Sequence, residues 1–128
     1  MKHDLLADVF SVIKNTEAIG RKECSAPASR VIKGVLKTMQ KHGYIGEFEH
    51  IEDCRGGRFR IRLLGKINNA NVIKPRFSVP VSEFIRWEKR FLPADDMGII
   101  ILTTSRGIMD QREAKEKNTG GKLLGFVY

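Results

Sequence analysis

Five apolar residues near the start, Leu5, Leu6, Val9, Phe10 and Ile13, recur at the spacing of one helical face. The chain therefore opens with an amphipathic helix, with Asp4 placed to cap it and Gly20 just past its end. A short extended stretch over residues 23–26 ends at Pro27. Ser29 then opens a second helix that runs to about His42 and stops at Gly43, with Val31, Ile32, Val35, Leu36 and Met39 as its apolar residues. Residues 45–51 and 58–64 read as the two strands of a hairpin, with Arg55, Gly56 and Gly57 in the turn. Phe59, Ile61 and Leu63 fall on one face of the returning strand, so Arg58, Arg60 and Arg62 point to the other. An extended stretch over 72–81, bent at Pro75, leads to a short helix that Ser82 caps and Pro93 closes; it carries Phe84, Ile85, Trp87 and Phe91.

The last third begins with a continuous apolar strand over 98–102. A polar loop of Thr103, Thr104, Ser105, Arg106 and Gly107 follows. Asp110 and Glu113 stand at capping-box spacing and open a short charged helix. Asn118, Thr119, Gly120 and Gly121 end it, and residues 123–128 form a last strand. The segment Leu92, Pro93, Ala94, Asp95 and Asp96 reads as the join between two lobes.

Composition narrows the class. With 128 residues, 41% of them hydrophobic and 30% charged, the chain can bury a core in one domain or two small lobes. The apolar run at 99–102 is far short of the ~20 residues a membrane helix needs. Asp4, Asp8 and Glu17 near the start argue against a secretory signal or a matrix-targeting presequence. Cys24 and Cys54 make a poor disulfide framework and read as reduced thiols of an intracellular protein.

Charge changes the picture most. The formal net charge is +8, and it is concentrated. No acid occurs from Cys54 through Ser82, a stretch that holds Arg55, Arg58, Arg60, Arg62, Lys66, Lys74 and Arg76. A second acid-free stretch runs from Cys24 to Gly46. In it Arg30, Lys33, Lys37 and Lys41 form one narrow stripe on the second helix, at ~100° per residue, opposite its apolar side. A single such stripe is most simply a solvated face. Two acid-free basic regions in so small a chain point to phosphate contact. A membrane surface fits less well, because the helix needs its apolar side for the core.

The hydroxyl run at 103–107 is the other candidate. Hydroxyls donate and accept, which suits sugar and base edges, and Gly107 lets the backbone approach closely. Ser and Thr before a helix more often form only a turn or a cap. Neither a nucleophile elbow nor a nearby His supports catalysis at Ser105. His50, Cys54, Cys24 and His42 lack zinc spacing. Glu47, Glu49, Glu52 and Asp53 form an acidic patch beside His50, read most simply as a charged strand edge. Trp87, Phe84 and Phe91 read as core rather than a base-stacking platform.

Residues 102–128, from Leu102 through Thr103, Thr104, Ser105, Arg106, Gly107, Ile108, Met109 and Asp110 to Thr119, Gly120, Gly121, Lys122 and Tyr128, resemble the carboxy-terminal signature of the universal small-subunit ribosomal protein number eight family. Eukaryotes call this member fifteen-a. Leu6-Ala7-Asp8, Pro27-Ala28-Ser29-Arg30, residues 41–48 and residues 72–77 extend the resemblance over the chain, closest to the archaeal and eukaryotic branch. Met109-Asp110 with Thr119-Gly120-Gly121-Lys122 leans toward the eukaryotic cytosolic form.

The resemblance implies an α+β fold of two small lobes, an α/β amino-terminal lobe over 1–66 and a mostly β carboxy-terminal lobe over 67–128. It implies a cytoplasmic, monomeric constituent of the small ribosomal subunit, beside neighbouring ribosomal proteins. Such a constituent binds a helical junction in the central domain of the small-subunit rRNA and helps that domain fold. It assigns RNA contact to Thr103, Thr104, Ser105, Arg106 and Gly107, and to Asn15, Ser29 and Arg30. Lys14, which replaces the first residue of the family's usual Asn-Asn pair, and Lys33 join them as phosphate contacts. The family's Asn-Lys-Cys-Gly turn becomes Asn68-Asn69-Ala70-Asn71, in which Asn can take a left-handed backbone. No catalytic residue, cofactor or metal is expected. The alternatives are a small metal-dependent ribonuclease using the carboxylates near Glu49 and Asp53, and a protein-interaction module whose charge only keeps it soluble.

Overall fold

The computed structural model describes residues 5–52, 56–74, 76–94 and 97–128. The expectations placed on Asp4, Asp53, Cys54, Arg55, Pro75, Asp95 and Asp96 lie outside the described residues.

Helix α1 (Leu5–Ala18) buries Leu6, Val9, Phe10 and Ile13, while Leu5 stays exposed. Strand β1 (Glu23–Pro27) leads to α2 (Arg30–Lys41), which starts where the Ser29 hydroxyl accepts a hydrogen bond from the Ile32 N–H at 3.1 Å. Ile32, Val35, Leu36 and Met39 are buried on α2. Val31, in the first turn of the helix, is not, at 39% exposed. Thr38 is buried too, and its hydroxyl donates to the Gly34 carbonyl one turn back.

Strands β2 (Ile45–Ile51) and β3 (Arg58–Leu63) complete an antiparallel sheet in the order β1-β3-β2. Phe59, Ile61 and Leu63 are buried and Arg58, Arg60 and Arg62 exposed, as alternation requires.

The second sheet is also antiparallel. Its order is β4 (Ala70–Val72), β8 (Gly121–Val127), β6 (Ile99–Thr104) and β7 (Gly107–Asp110), with β5 (Ser78–Val79) also paired to β8. The stretch expected to be extended over 72–81 is thus two short strands. The Ile73 N–H bonds Leu124 O and the Leu123 N–H bonds Phe77 O, so both strands are held at adjacent residues of β8.

Ser82 does not cap the following helix. It lies within a 3-10 turn (Val81–Glu83) that Pro80 enters and that the Glu83 N–H closes on Pro80 O. Helix α3 (Phe84–Phe91) then buries Phe84 and half-buries Trp87 and Phe91, leaving Ile85 59% exposed. The capping box of α4 (Gln111–Glu116) is only half formed. Asp110 Oδ2 accepts from the Arg112 N–H at 3.2 Å, whereas Glu113 turns outward to Lys41 and Lys117, both at 3.3 Å.

Asn68 and Asn69 do not take the left-handed backbone. Among the described residues only Asn118 does so without being glycine. The last residue holds that segment instead: the N–H groups of Asn68 and Asn69 both donate to Tyr128 O.

The two lobes share packing across the second sheet. Ile99, Ile101, Leu124 and Val127 cluster with the buried residues of α1, α2 and the first sheet. Ile100, Leu102 and Leu123 cluster with Phe84, Met109 and Ala114 on the other face. Leu123 and Leu124 serve opposite faces by alternation, and the bulge in β8 between them and Gly125 leaves Leu124 and Gly125, adjacent in sequence, both on the α1 face. Among the described residues no helix is long and apolar enough to cross a membrane.

Cys24 is free and half-buried in β1. Burial, then the nearby Glu17 and Glu23 carboxylates, push its thiol from 9.0 up to about 11. Two pH units make the thiolate roughly 100-fold rarer at pH 8. In a Cys54→Ser variant, iodoacetamide should therefore alkylate Cys24 about 100-fold more slowly in the folded chain than in urea. Equal rates in the two states would contradict this environment.

Candidate nucleic-acid interface

Thr103 and Thr104 belong to strand β6, paired with Ile108 and Gly107, so the loop expected over 103–107 is a tight hairpin with only Ser105 and Arg106 at its tip. Nor does the loop open a helix, because β7 separates it from α4. β-branched Thr extends a pleated strand readily, which explains the shorter loop. The Thr104 hydroxyl donates to Gly107 O at 2.8 Å and accepts from the Arg106 N–H at 3.1 Å. It therefore locks the turn, while Ser105 and Arg106 stand exposed. Gly107 adopts φ 115°, which a side chain would strain.

Thr103, Thr104 and Ser105 line one side of an open groove of about 540 Å³, with Ser78, Gly121 and Lys122 opposite. Lys122 is in register with Ser78 on one side and Thr103 on the other, and Thr103 with Ile108. Residues in register share a face, so Ser78, Lys122, Thr103 and Ile108 form a row across the sheet. Gly121 lets the strands close up, since a Cβ there would run into the Thr103 carbonyl. Ser78, Gly121 and Lys122 were not among the candidates read from the sequence. They join the tip only through strand pairing; the family-like Thr119-Gly120-Gly121-Lys122 run signalled Gly121 and Lys122, and nothing in the sequence signalled Ser78.

Helix α2 covers the same face. A Cβ on Gly34 would lie 2.6 Å from Ile108 Cδ1, and His42 Nε2 lies 3.1 Å from the buried Asp110 Oδ1 at the other end of β7. Helix α2 and β7 thus run in the same direction. The first turn of α2, with Arg30 and Lys33, lies at the tip end. Arg30, Lys33 and Lys37 are exposed, whereas Lys41 is tied to Glu113. Ser29 lies at this end too, but its hydroxyl is engaged as the helix cap.

Lys14 and Asn15 are exposed on α1 but point to a different part of the molecule. Phe10 packs on Gly125, and the Glu17 carboxylate accepts from the Gly65 and Ile67 N–H groups, close to the Asn68–Tyr128 bond. The carboxy-terminal half of α1 therefore approaches the Tyr128 end of β8, away from the tip. On the first sheet, Arg60 pairs with Glu49 at 3.2 Å and Arg58 reaches the Ser25 hydroxyl.

The acidic patch gives the ribonuclease reading no support. Glu49 is ion-paired to Arg60, and among the described residues no three His, Cys, Asp or Glu side chains converge to hold a metal ion. Trp87 and Phe91 stack at 5.9 Å between centroids, and the run continues through Phe126 to Tyr128, packed against the Phe84 cluster.

The family model described as Ribosomal protein S8 matches residues 4–128. Small ribosomal subunit protein uS8 of Methanococcoides burtonii is 54% identical over 126 residues, which cover 98% of this chain and 97% of that relative. Two lobes of helices and antiparallel sheets, a family match over nearly every residue and a relative of the same extent lead to one conclusion: the chain belongs to the ribosomal protein S8 family, a structural class of the small ribosomal subunit.

Proposed function

We propose that the chain binds small-subunit rRNA directly, in its central domain, and stabilises the fold of that domain during assembly. It acts as a monomer in the cytoplasm, beside other small-subunit proteins. One observation carries this reading: the exposed Ser105-Arg106 tip, the groove with Lys122, and the cations of α2 lie at one end of the molecule. Cations there neutralise phosphates and supply affinity without sequence preference. The tip supplies selection. A-form RNA displays its 2′-hydroxyls in a wide, shallow minor groove, which a short hydroxyl beside a glycine can approach. Thr104 holds the tip in shape, and Gly107 keeps its flank bare. Lys14 and Asn15 add contacts to a separate RNA segment.

Ser105→Ala removes one contact hydroxyl and leaves the Thr104 lock intact. It is expected to weaken binding to the central-domain junction by about 1 kcal/mol, roughly fivefold, with no change on an unrelated duplex. Filter-binding titrations of both RNAs measure it. Equal affinity of variant and wild type for the junction would remove Ser105 from the interface.

A further inference from the structure

The surface described so far lies on one face of the second sheet. The other face is roofed by α3, whose Phe84, Trp87 and Phe91 face inward at i, i+3 and i+7. Ile99 and Ile101 pack toward α1 and α2, Ile100 and Leu102 toward Phe84. Neighbouring residues of a strand point to opposite faces, so α2 and α3 lie on opposite sides of the sheet.

What α3 turns outward is cationic. Arg86, Lys89 and Arg90 are exposed at i, i+3 and i+4 and so sit together on one helical face. Among the described residues none of the three is in an ion pair. The acid on the helix, Glu88, is withdrawn: its side chain is 11% exposed and held by Lys115 of α4 at 2.7 Å. The Arg90 guanidinium lies 5.3 Å from the Trp87 centroid and 5.5 Å from that of Phe91. Stacking on rings fixes an arginine while leaving its N–H edge available to oxygens. The one large apolar side chain exposed on the helix is Ile85, so the face lacks the apolar centre of a protein–protein interface.

We propose that this face of α3 is a further phosphate-docking surface, so that one chain holds RNA on both sides of its carboxy-terminal sheet. The class of partner rests on the RNA-binding reading above; the location does not. Three clustered cations fit a dense line of phosphates better than the sparse carboxylates of a folded protein. The inward aromatic side keeps the helix seated, so the cations present a fixed surface.

The test is a two-RNA capture with the full chain. A 20-base-pair RNA duplex is immobilised and loaded with one protein per duplex. A second, labelled duplex is then added. Wild type is expected to capture the labelled duplex. A variant carrying Arg86→Ala, Lys89→Ala and Arg90→Ala is expected to load normally but capture roughly tenfold less. An unchanged melting temperature excludes misfolding. On the wild-type protein, acetylation of Lys89 is expected to slow when the second duplex binds. Normal capture by the variant, or unprotected Lys89, would overturn the proposal. So would a wild type that loads but captures nothing, or one that captures polyglutamate in place of RNA. A wild type that shows no salt-sensitive loading at all would sink the RNA-binding reading itself, and this inference with it.

Discussion

Alanine at Arg30, Lys33 and Lys37 together is expected to weaken binding to every structured RNA by about 10²-fold at 0.1 M salt, and to lower the log–log salt slope by roughly 2 to 3. The magnitude follows from counterion release, which gives just under one unit of slope for each phosphate neutralised. The three side chains are exposed, and the opposite side of α2 is buried as Ile32, Val35, Leu36 and Met39. They cannot withdraw into the protein. Their position also argues against a role in stability. The first turn of α2 holds no acid, while Arg30 and Lys33 stand where the helix dipole disfavours cations. Removing them should therefore leave the melting temperature unchanged or slightly raised, since alanine favours helix. Titration from 0.05 to 0.3 M salt measures the slope, and a slope equal to wild type would mean that the stripe meets only water. Lys41→Ala separates from the other three. Its ion pair with Glu113 is exposed, so its loss costs at most about 1 kcal/mol of stability and little RNA affinity.

Where local rules act alone, pattern and structure agree. The buried face of α1, the Ser29 cap and the alternating arginines of β3 follow from periods of 3.6 and 2 and from one side-chain hydrogen bond. Disagreement begins where a partner from elsewhere in the chain decides. Ser82 looks like a cap, but Pro80 places the turn. Residues 72–81 look extended, but β8 pairs as strand with Val72 and with Ser78 and Val79, and residue 81 already belongs to the following turn. Glu113 has capping-box spacing, but Lys41, 72 residues away, takes its carboxylate. The candidate site divides in the same way. The hydroxyl run and the basic stripe are visible as local composition. The groove is not, because Ser78, Thr103 and Lys122 meet only through strand register. Nor does sequence spacing show that Lys14 and Arg30 belong to different parts of the surface.

The larger effect on the fold itself is expected from Gly125→Val. At Gly125 a Cβ would lie 2.7 Å from the Asn71 carbonyl and 2.7 Å from Phe10 Cζ. Phe10 is fully buried and has no free volume to move into. The Asn71 carbonyl belongs to β4, which pairs with β8 at this point, so it cannot yield without opening the ladder. Overpacking of this kind costs about 1–3 kcal/mol, and a forced backbone shift adds to it, for a total of roughly 3–5 kcal/mol. A urea titration should show the midpoint falling accordingly. The two collisions can be told apart. Phe10→Leu shortens the ring and relieves one of them, but it does not touch the Asn71 carbonyl. Adding Gly125→Val to Phe10→Leu should therefore still cost about 2 kcal/mol beyond Phe10→Leu alone. A fully additive or fully rescued double variant would show that one contact, not two, sets the limit. The consequence reaches the interface, because Lys122 stands three residues before Gly125 on the same strand. A β8 forced off α1 would move Lys122 relative to the Ser105 tip. At temperatures where the variant is still folded, affinity for the junction should fall while the salt slope set by α2 persists, as expected if one strand both seals the core and aligns the groove.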